Sequence, residues 1–404
     1  MSGLISVDDA LGLLEEHATH RAVELVPLSK GFGRTLAEDV LAKTTQPASP
    51  VSAMDGYAVN LEDVRTPEAR LKVIGESPAG HPFPHPVDRG ECVRIFTGGY
   101  LPEGTNHIVI QENAERDADE MISLQGYDAP LHVRAAGRDF HAGQLLIRKH
   151  TRLHAGGLAL LAAANIDQVS VYRQLRVGIL ANGDELKPVG SELQPGEIVN
   201  SNPIGLSALI REWGGEPIDL GIASDSVDAI TEKISASPDI DIFVPVGGAS
   251  VGDHDHMKPA FTSSGFELVF SKIAVKPGKP TWFGRTERSL VLGLPGNPAS
   301  AFVCAQVFLK PLITGHFEDP GITAMLSGAV PENGGRESFL RSRLSVSSEG
   351  QLNVSPHGDQ DSSLISPFLE CSALIRRAPH APAARTGDVL PIRILASDIP
   401  LMSR

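Results

Sequence analysis

The alternation of apolar and polar residues changes character several times along this chain. At the start, Ser6-Val7-Asp8-Asp9 resembles a capping box, with Asp in place of the usual Glu, and leads into Ala10, Leu11, Leu13 and Leu14. That pattern predicts a short opening helix. From about Ala42 to Phe140, proline, glycine and histidine punctuate short β-type runs such as those at 92–96 and 107–110, which predicts a small β-rich domain. The alanine- and leucine-rich stretch 154–165 predicts a buried helix. If it packs beside the opening helix, the β-rich domain is an insertion into a helical base.

Between Leu175 and Thr314 strands and helices alternate. Residues 176–181, 217–222, 241–246 and 290–294 read as strands, and 203–213 and 298–313 as helices. The first of these helices has Asn202 as N-cap, Pro203 at its first position and Gly214 as terminator. Such alternation predicts a mostly parallel sheet covered by helices. Beyond Asp319, the runs 337–346, 351–354, 373–377 and 389–394 are separated by Ser, Gly and Pro turns, the pattern of a small all-β, barrel-like domain. The fold class is therefore α/β and multidomain: a β-rich domain at 46–140, a parallel-rich α/β domain at 175–316 and a C-terminal β-barrel at 317–404. If the 154–165 helix packs beside the opening helix, 1–45 and 141–174 form a helical base into which the β-rich domain is inserted.

A length of 404 residues agrees with several domains. The formal charge of −14 argues against nucleic acid as a partner. The most apolar run, 158–164, is too short to span a bilayer, and the acidic N-terminus has no signal pattern, so a membrane is not expected either. Cys92, Cys304 and Cys371 form no CxxC, which fits a reducing cytoplasm rather than a disulfide framework or a Cys zinc site. None of this forbids a small anionic ligand. Charges beyond about 8 Å are screened at physiological salt, whereas a lysine at ~4 Å contributes roughly 4 kcal/mol at an effective dielectric near 20.

The chemistry-bearing residues cluster where apolar strands stop. VGGASVGDHDH at 246–256, AVKPGKP at 274–280 and LGLPGNPASA at 292–301 place glycines, prolines and polar groups at such ends. In an open α/β sheet these turns converge at the carboxyl ends of the strands, and a helix start there suits an oxyanion. Lys276 and Lys279 sit in a proline-restricted turn, and Asn297-Pro298 supplies an N-cap and first helical residue. The carboxylates of GDEL, 183–186, and Asp225 follow strands and could hold Mg²⁺ or position a water, or be a solvated turn and a helix cap respectively. Asp253 and Asp255 alternate with His254 and His256, so an extended segment would put both acids on one side. Zinc lacks its further ligands there, and Mg²⁺ held by an Asp is the more economical reading. Likewise His81 and His85, in a proline-rich stretch, read as a surface loop. GxGxxG, GxxxxGK[ST] and GxSxG are absent, which removes the usual dinucleotide, P-loop and nucleophile-elbow mechanics. SAMDGYA at 52–58, FTGGYLPEGTN at 96–106 and GRDF at 137–140 could each be an ordinary turn.

Taken in order, SAMDGYA, FTGGYLPEG, VRAAGRDFHAG, GDEL, VGGASVGDHD, KPGKP, LPGNP and HGDQDSS resemble the motifs of the molybdopterin molybdenumtransferases, the MoeA-like enzymes related to the gephyrin E domain. The resemblance spans roughly Pro47 to Ser363. It implies an α/β domain like that of molybdopterin adenylyltransferases, an elongated helical base used for dimerisation, and a homodimer whose cleft lies between the α/β domain of one subunit and the inserted domain of the other. The implied reaction places molybdenum from molybdate on the dithiolene of adenylated molybdopterin and releases AMP, with Mg²⁺ as the metal. Carried over by motif, Asp55, Thr97 and Asp139 would reach the cleft from the inserted domain. Glu185, Asp225 and Asp255 would hold Mg²⁺ and direct water attack. Gly247, Gly248, Ser250, Gly296 and Asn297 would cradle pterin and phosphate, and Lys276, Lys279, Arg341 and Ser363 would bind molybdate. A molybdopterin adenylyltransferase and molybdoenzyme-delivery proteins are partners that the resemblance admits.

Some residues depart from the family pattern: Arg138 stands in GRD where GED is common, Pro245 and Val246 precede the double glycine in place of serines, His256 replaces an aromatic, and Leu364 follows HGDQDSS. Two alternatives remain. An adenylyltransferase would share the α/β domain but not need the inserted domain or barrel, and a non-catalytic scaffold like gephyrin would keep the fold without turnover.

Overall fold

The computed structural model describes residues 4–18, 21–66, 68–124, 132–237, 239–247, 256–262 and 265–395. The chain divides into two compact units, one of residues 22–173 and one of residues 1–21 with 174–404.

In the first unit, a six-stranded sheet runs in the order His107–Ile110, Gly56–Val59, Glu91–Ile95, Arg70–Ser77, Met121–Leu124, Ala114–Arg116. Alternate residues point to opposite faces of a strand. Tyr57, Val59, Val73, Cys92 and Val109 accordingly fill one core, and Ala58, Ile95 and Ile108 another. The remainder of this unit is built mainly from paired strands. Val23–Pro27 pairs antiparallel with Gln168–Tyr172, and Val40–Leu41 with Leu145–Ile147. One helix, Ala155–Ala163, packs Leu161 against Val26, Leu36 and Val169. The base is thus not helical, and this helix is not sunk in a core, since only Gly157 and Leu161 within it are buried. Its alanines offer little area to bury, so one leucine row suffices.

The opening helix, Val7–Glu16, is capped as its sequence predicts, with Ser6 Oγ accepting from the Asp9 N–H at 3.0 Å. Its destination differs from the expected base. Val7, Ala10, Leu11 and Leu14 enter the core that holds Val177, Val244, Phe283 and Phe308. Ile5 bridges Ile273, and Asp8 pairs with Arg376 at 2.8 Å. Residues 1–21 therefore belong with the α/β domain, where their apolar stripe finds a larger partner surface.

That domain is a six-stranded sheet in the order Glu216–Ala223, Arg176–Asn182, Ile242–Val246, Leu290–Gly293, Trp282–Arg285, Glu267–Phe270. The four strands legible in the sequence are mutually parallel. The last two add an antiparallel edge that the strand–helix alternation did not predict. Helices cover both faces, with Leu206, Ile210, Val303 and Phe308 on one side and Ile230, Ile234 and Phe261 on the other. Helix Pro298–Cys304 continues through a π-turn, Ala305–Leu309, into Lys310–Thr314.

Five strands, Glu337–Val346, Leu352–Pro356, Thr323–Leu326, Val389–Ile394 and Ala373–Arg377, close into a barrel because the first also pairs with the last. Closure satisfies edges that an open sheet would leave exposed. Val275–Lys276 lies parallel beside Glu337 and Ser338. The KPGKP turn is thereby stitched to the barrel. Among the described residues no helix is long and apolar enough to cross a membrane.

Candidate active site

A cleft of about 1220 Å³ opens at the carboxyl ends of the parallel strands. Arg176–Asn182 ends there in Asn182 and Ile242–Val246 in Gly247. Gly247 has φ +94°, and a Cβ on it would lie 2.7 Å from the Asn182 carbonyl oxygen. Gly296 faces it, with its ideal Cβ 3.5 Å from the Gly247 Cα. Only glycine fits at 247, where a Cβ would overlap the Asn182 oxygen, whereas at 296 a Cβ would make an ordinary contact; as glycines both leave bare backbone lining the cleft.

The KPGKP turn forms another wall. Gly278 adopts φ +114°, and a Cβ there would meet Cys304 Sγ at 2.0 Å. Thr281 Oγ1 donates to the Gly278 carbonyl at 2.8 Å, which closes the turn. Burial pushes the Cys304 thiol up to about 12, so it packs as a neutral group and offers no nucleophile. Lys276 and Lys279 both line the cleft, and among the described residues neither ammonium is paired with a carboxylate. Arg336, which the sequence reading did not single out, lines the same cleft and donates from Nη1 to the Val275 carbonyl at 3.4 Å. Three cationic side chains therefore converge from the KPGKP turn and the start of the barrel.

Arg341, expected to bind molybdate, does not line the cleft. It is 1% exposed and donates to the carbonyls of Leu364 at 2.7 Å, Asp361 at 2.8 Å and Asp359 at 3.2 Å. Its guanidinium is consumed in shaping the HGDQDSS loop, and its backbone is tied to Gln360 in both directions at 3.0 Å. Ser363 does line the cleft, but its hydroxyl donates to Asp361 at 2.7 Å. That hydroxyl, with the Ser363 N–H, holds the Asp361 carboxyl below its ordinary range. The neighbouring Ser362 suits an anion better. It accepts from Asn297 Nδ2 at 3.0 Å and keeps its own O–H to donate.

Both asparagines assigned to helix caps serve elsewhere. Asn297 precedes helix Pro298–Cys304 without capping it, and its amide reaches Ser362 instead. Asn202 is the first residue of helix Asn202–Glu212, behind Ser201, and its Nδ2 donates to the Gly296 carbonyl at 2.8 Å. Gly214 terminates that helix region at φ +88°, as predicted. These side chains tie the LPGNP loop to its neighbours.

Of the three acids expected to hold a metal, Glu185 lines the cleft. Asp225 does not. Its N–H donates to the Asp184 carboxylate at 3.2 Å, and the following helix is capped by Ser226 instead. Asp255 lies outside the described residues, as do Gly248 and Ser250. Among the described residues no cluster of three metal-binding side chains forms. Glu185 and Asp225 nonetheless follow adjacent parallel strands, where Asn182 pairs with Ala223. Their hard oxygen donors fit the way Mg²⁺ is usually held, by one or two carboxylates together with substrate phosphates.

In the unit 22–173, Asp55 and Thr97 meet directly. The Asp55 carboxylate accepts from the Thr97 N–H at 2.7 Å and from its hydroxyl at 2.9 Å. Those two bonds hold the Asp55 carboxyl below its ordinary range. Asp139 lines a second cleft of about 570 Å³, with Arg134, Arg138, Tyr100 and Gly98. The TGG turn and the GRDF segment thus share a cavity, with Arg138 exposed at its side.

Comparison with known proteins agrees with this architecture. Residues 5–165 match the MoeA N-terminal region (domain I and II), residues 178–315 a probable molybdopterin binding domain, and residues 323–395 the MoeA C-terminal region (domain IV). The chain is 35% identical over 382 residues to a molybdopterin molybdenumtransferase of Haemophilus influenzae, covering 92% of this chain and 94% of that one. It is 32% identical over 385 residues to one of Bacillus subtilis, covering 92% and 89%. Two crystal structures of the molybdopterin biosynthesis MoeA protein from Pyrococcus horikoshii superpose with TM-scores of 0.81 and 0.79 at 30% and 28% identity. Each covers 97% of this chain, and 99% and 100% of its own.

Proposed function

The chain belongs to the MoeA family of molybdopterin molybdenumtransferases, and from that premise we propose that it moves molybdenum from molybdate onto the dithiolene of adenylated molybdopterin and releases AMP. One observation carries the reading: Lys276, Lys279 and Arg336 bring unneutralised positive charge into a cleft whose floor is bare glycine backbone. Molybdate and a phosphoanhydride are both multiply anionic, and drawing them together without cations is costly. The two lysines and Arg336 offset that repulsion, and Ser362 adds a neutral donor. Gly247 and Gly296 let a phosphate approach the main chain. Glu185, beside them, orients the attacking water and can take its proton.

Glu185 and Asp225 would hold Mg²⁺, which would supply positive charge against the phosphates. Three unpaired cysteines, with Cys92 and Cys304 kept as thiols by burial, support a reducing cytoplasmic setting. We read the functional assembly as a homodimer, in which Asp55, Thr97 and Asp139 serve a neighbouring cleft. Large exposed apolar residues in the unit 22–173, Leu25 at 65% and Phe32 at 71%, support such an association.

The decisive assay is molybdenum insertion in vitro. The wild-type protein consumes adenylated molybdopterin and yields AMP, whereas an adenylyltransferase would make that compound from ATP, and a scaffold would do neither. Glu185→Gln, on an exposed side chain, keeps the fold by circular dichroism and loses insertion by about 10²-fold or more. Full insertion by that variant removes Glu185 from the reaction.

A further inference from the structure

Two asparagines that line the main cleft each keep a carboxamide oxygen that no group among the described residues engages. Asn182 is 4% exposed. Its Nδ2 donates to the Ser224 carbonyl at 3.2 Å and the Ala223 carbonyl at 3.4 Å, while its Oδ1 is buried and has no hydrogen-bond partner among the described residues. Asn202 repeats the arrangement, with Nδ2 committed to the Gly296 carbonyl at 2.8 Å and a buried Oδ1 that accepts no hydrogen bond among the described residues. Neither amide can turn over. Exchanging oxygen and nitrogen would set the oxygen against those carbonyl oxygens and lose every bond the side chain makes.

Buried acceptors are rarely left unused in folded proteins, because removing one from water without a replacement donor is unfavourable. Here both belong to residues that line the same cleft. A short run of contacts joins them, since Asn202 bonds Gly296, Gly296 faces Gly247, and Gly247 presses on the Asn182 backbone. A neutral acceptor gives nothing to molybdate or phosphate, whose oxygens need donors. It suits a part of the ligand that carries N–H.

We propose that Asn182 and Asn202 form an acceptor pair that recognises the exocyclic amine of an aminated nitrogen heterocycle, together with the adjacent ring N–H where the ring carries one. The inference rests on the function proposed above, which supplies two such rings, the aminopyrimidinone of the pterin and the aminopurine of the adenylate. Their common chemistry is an exocyclic amine that donates hydrogen bonds, on a ring joined to an anionic tail. Asn182 and Asn202 are specificity residues, separate from the cationic wall that receives the anion.

The test compares ring pairs that differ in the amine, using the full-length protein and isothermal titration: AMP against IMP, and pterin against lumazine. Wild-type protein binds the amine-bearing member of at least one pair about five- to tenfold more tightly, the worth of a neutral hydrogen bond. Which pair shows the preference identifies the ring. In Asn182→Leu and Asn202→Ala the ratio of the two affinities falls to near unity, whatever change the lost amide bond makes to both members alike. Asn202 opens a helix, so its variant keeps the test available if Asn182→Leu does not fold. Equal affinity within both pairs for the wild-type protein, or a preference that survives Asn202→Ala, overturns the proposal. Insertion assayed in parallel separates the two readings: turnover without any amine preference sinks this inference alone, and no turnover with no ring binding sinks both.

Discussion

Arg336 and Arg341 sit on the same stretch of chain and do opposite work. Arg341 is enclosed and bonded to three carbonyls of one loop, so its charge is spent on architecture. Arg336 faces the cleft, where its charge is available to an anion. Their substitutions should separate cleanly. Arg341→Met leaves three carbonyls short of a donor and lowers stability by about 2–4 kcal/mol. Arg336→Ala changes stability by about 0.5 kcal/mol or less and raises the molybdate concentration needed for half-saturation by roughly tenfold. Thermal denaturation and molybdate titration of the insertion rate check the two sides. If Arg341→Met melts like the wild type, the loop does not depend on it.

At the scale of elements, the cleft is held in shape by contacts between loops and their neighbours. The KPGKP turn presses on helix Pro298–Cys304 through Gly278 and Cys304. Gly278→Ala adds both a left-handed φ for a residue with a Cβ and an overlap with sulfur, for a loss of about 3 kcal/mol. Pairing it with Cys304→Ala relieves the overlap and not the φ, so the double variant recovers part of the loss, as a double-mutant cycle will read.

Arg376 performs a comparable service between the opening helix and the barrel. It pairs with Asp8 at 2.8 Å, with Asp319 at 3.0 Å and with the nearly buried Glu337. Burial would raise the Asp319 carboxyl, but the Gly321 N–H, Arg393 and Arg376 outweigh it and leave it below its ordinary 3.8. A depressed carboxyl stabilises the fold above the ordinary value and loses that contribution as pH falls through the folded value. Arg376→Met therefore costs about 2 kcal/mol at neutral pH. Its stability gap from the wild type narrows below about pH 3.8. Denaturant titrations at pH 7 and pH 3 decide this, and a gap independent of pH would show that Asp319 is not part of it.

For the whole molecule, the open question is how the unit 22–173 takes part in the reaction. Asp55 and Thr97 are bonded to each other, and Asp139 lines its own cleft beside Arg138. If these groups act in a homodimer, subunits disabled in different units should rescue one another. Asp55→Asn and Glu185→Gln proteins, each inactive, regain insertion when unfolded and refolded together, because some mixed dimers hold one intact site. Activity no higher than the separately refolded parents would place both residues in the service of one chain.

Much of this organisation was legible in the sequence because it is written in local periodicity. The parallel strands of the α/β domain, the capped opening helix and four of the five barrel strands each bury one face and therefore leave a repeating mark. The antiparallel pair Trp282–Arg285 and Glu267–Phe270 and the strand Thr323–Leu326 leave a weaker mark: all are runs of four residues, and Thr323–Leu326 has its partners about 30 and 65 residues further along the chain. That Gly247, Gly296, Lys276, Lys279 and Glu185 gather at one cleft was legible, since turn chemistry at strand ends restricts residue type. Ser362 against Ser363, and Arg336 against Arg341, could not be resolved that way. Side chains near each other in sequence can face opposite directions, and only the backbone path says which one meets the cleft.

The order of residues thus determined which segments are strands and helices, that they form an α/β domain, a β-rich insertion and a barrel, and which loop chemistry accompanies them. Tertiary structure alone decided that the opening helix leaves the base for the α/β core, that Arg341 is structural while Arg336 faces the cleft, and that Asn182 and Asn202 keep acceptors in reserve. The physical reason is the range of the forces involved. Periodicity and capping act within a few residues, whereas burial and hydrogen-bond partners are set by whatever distant segment the fold brings alongside.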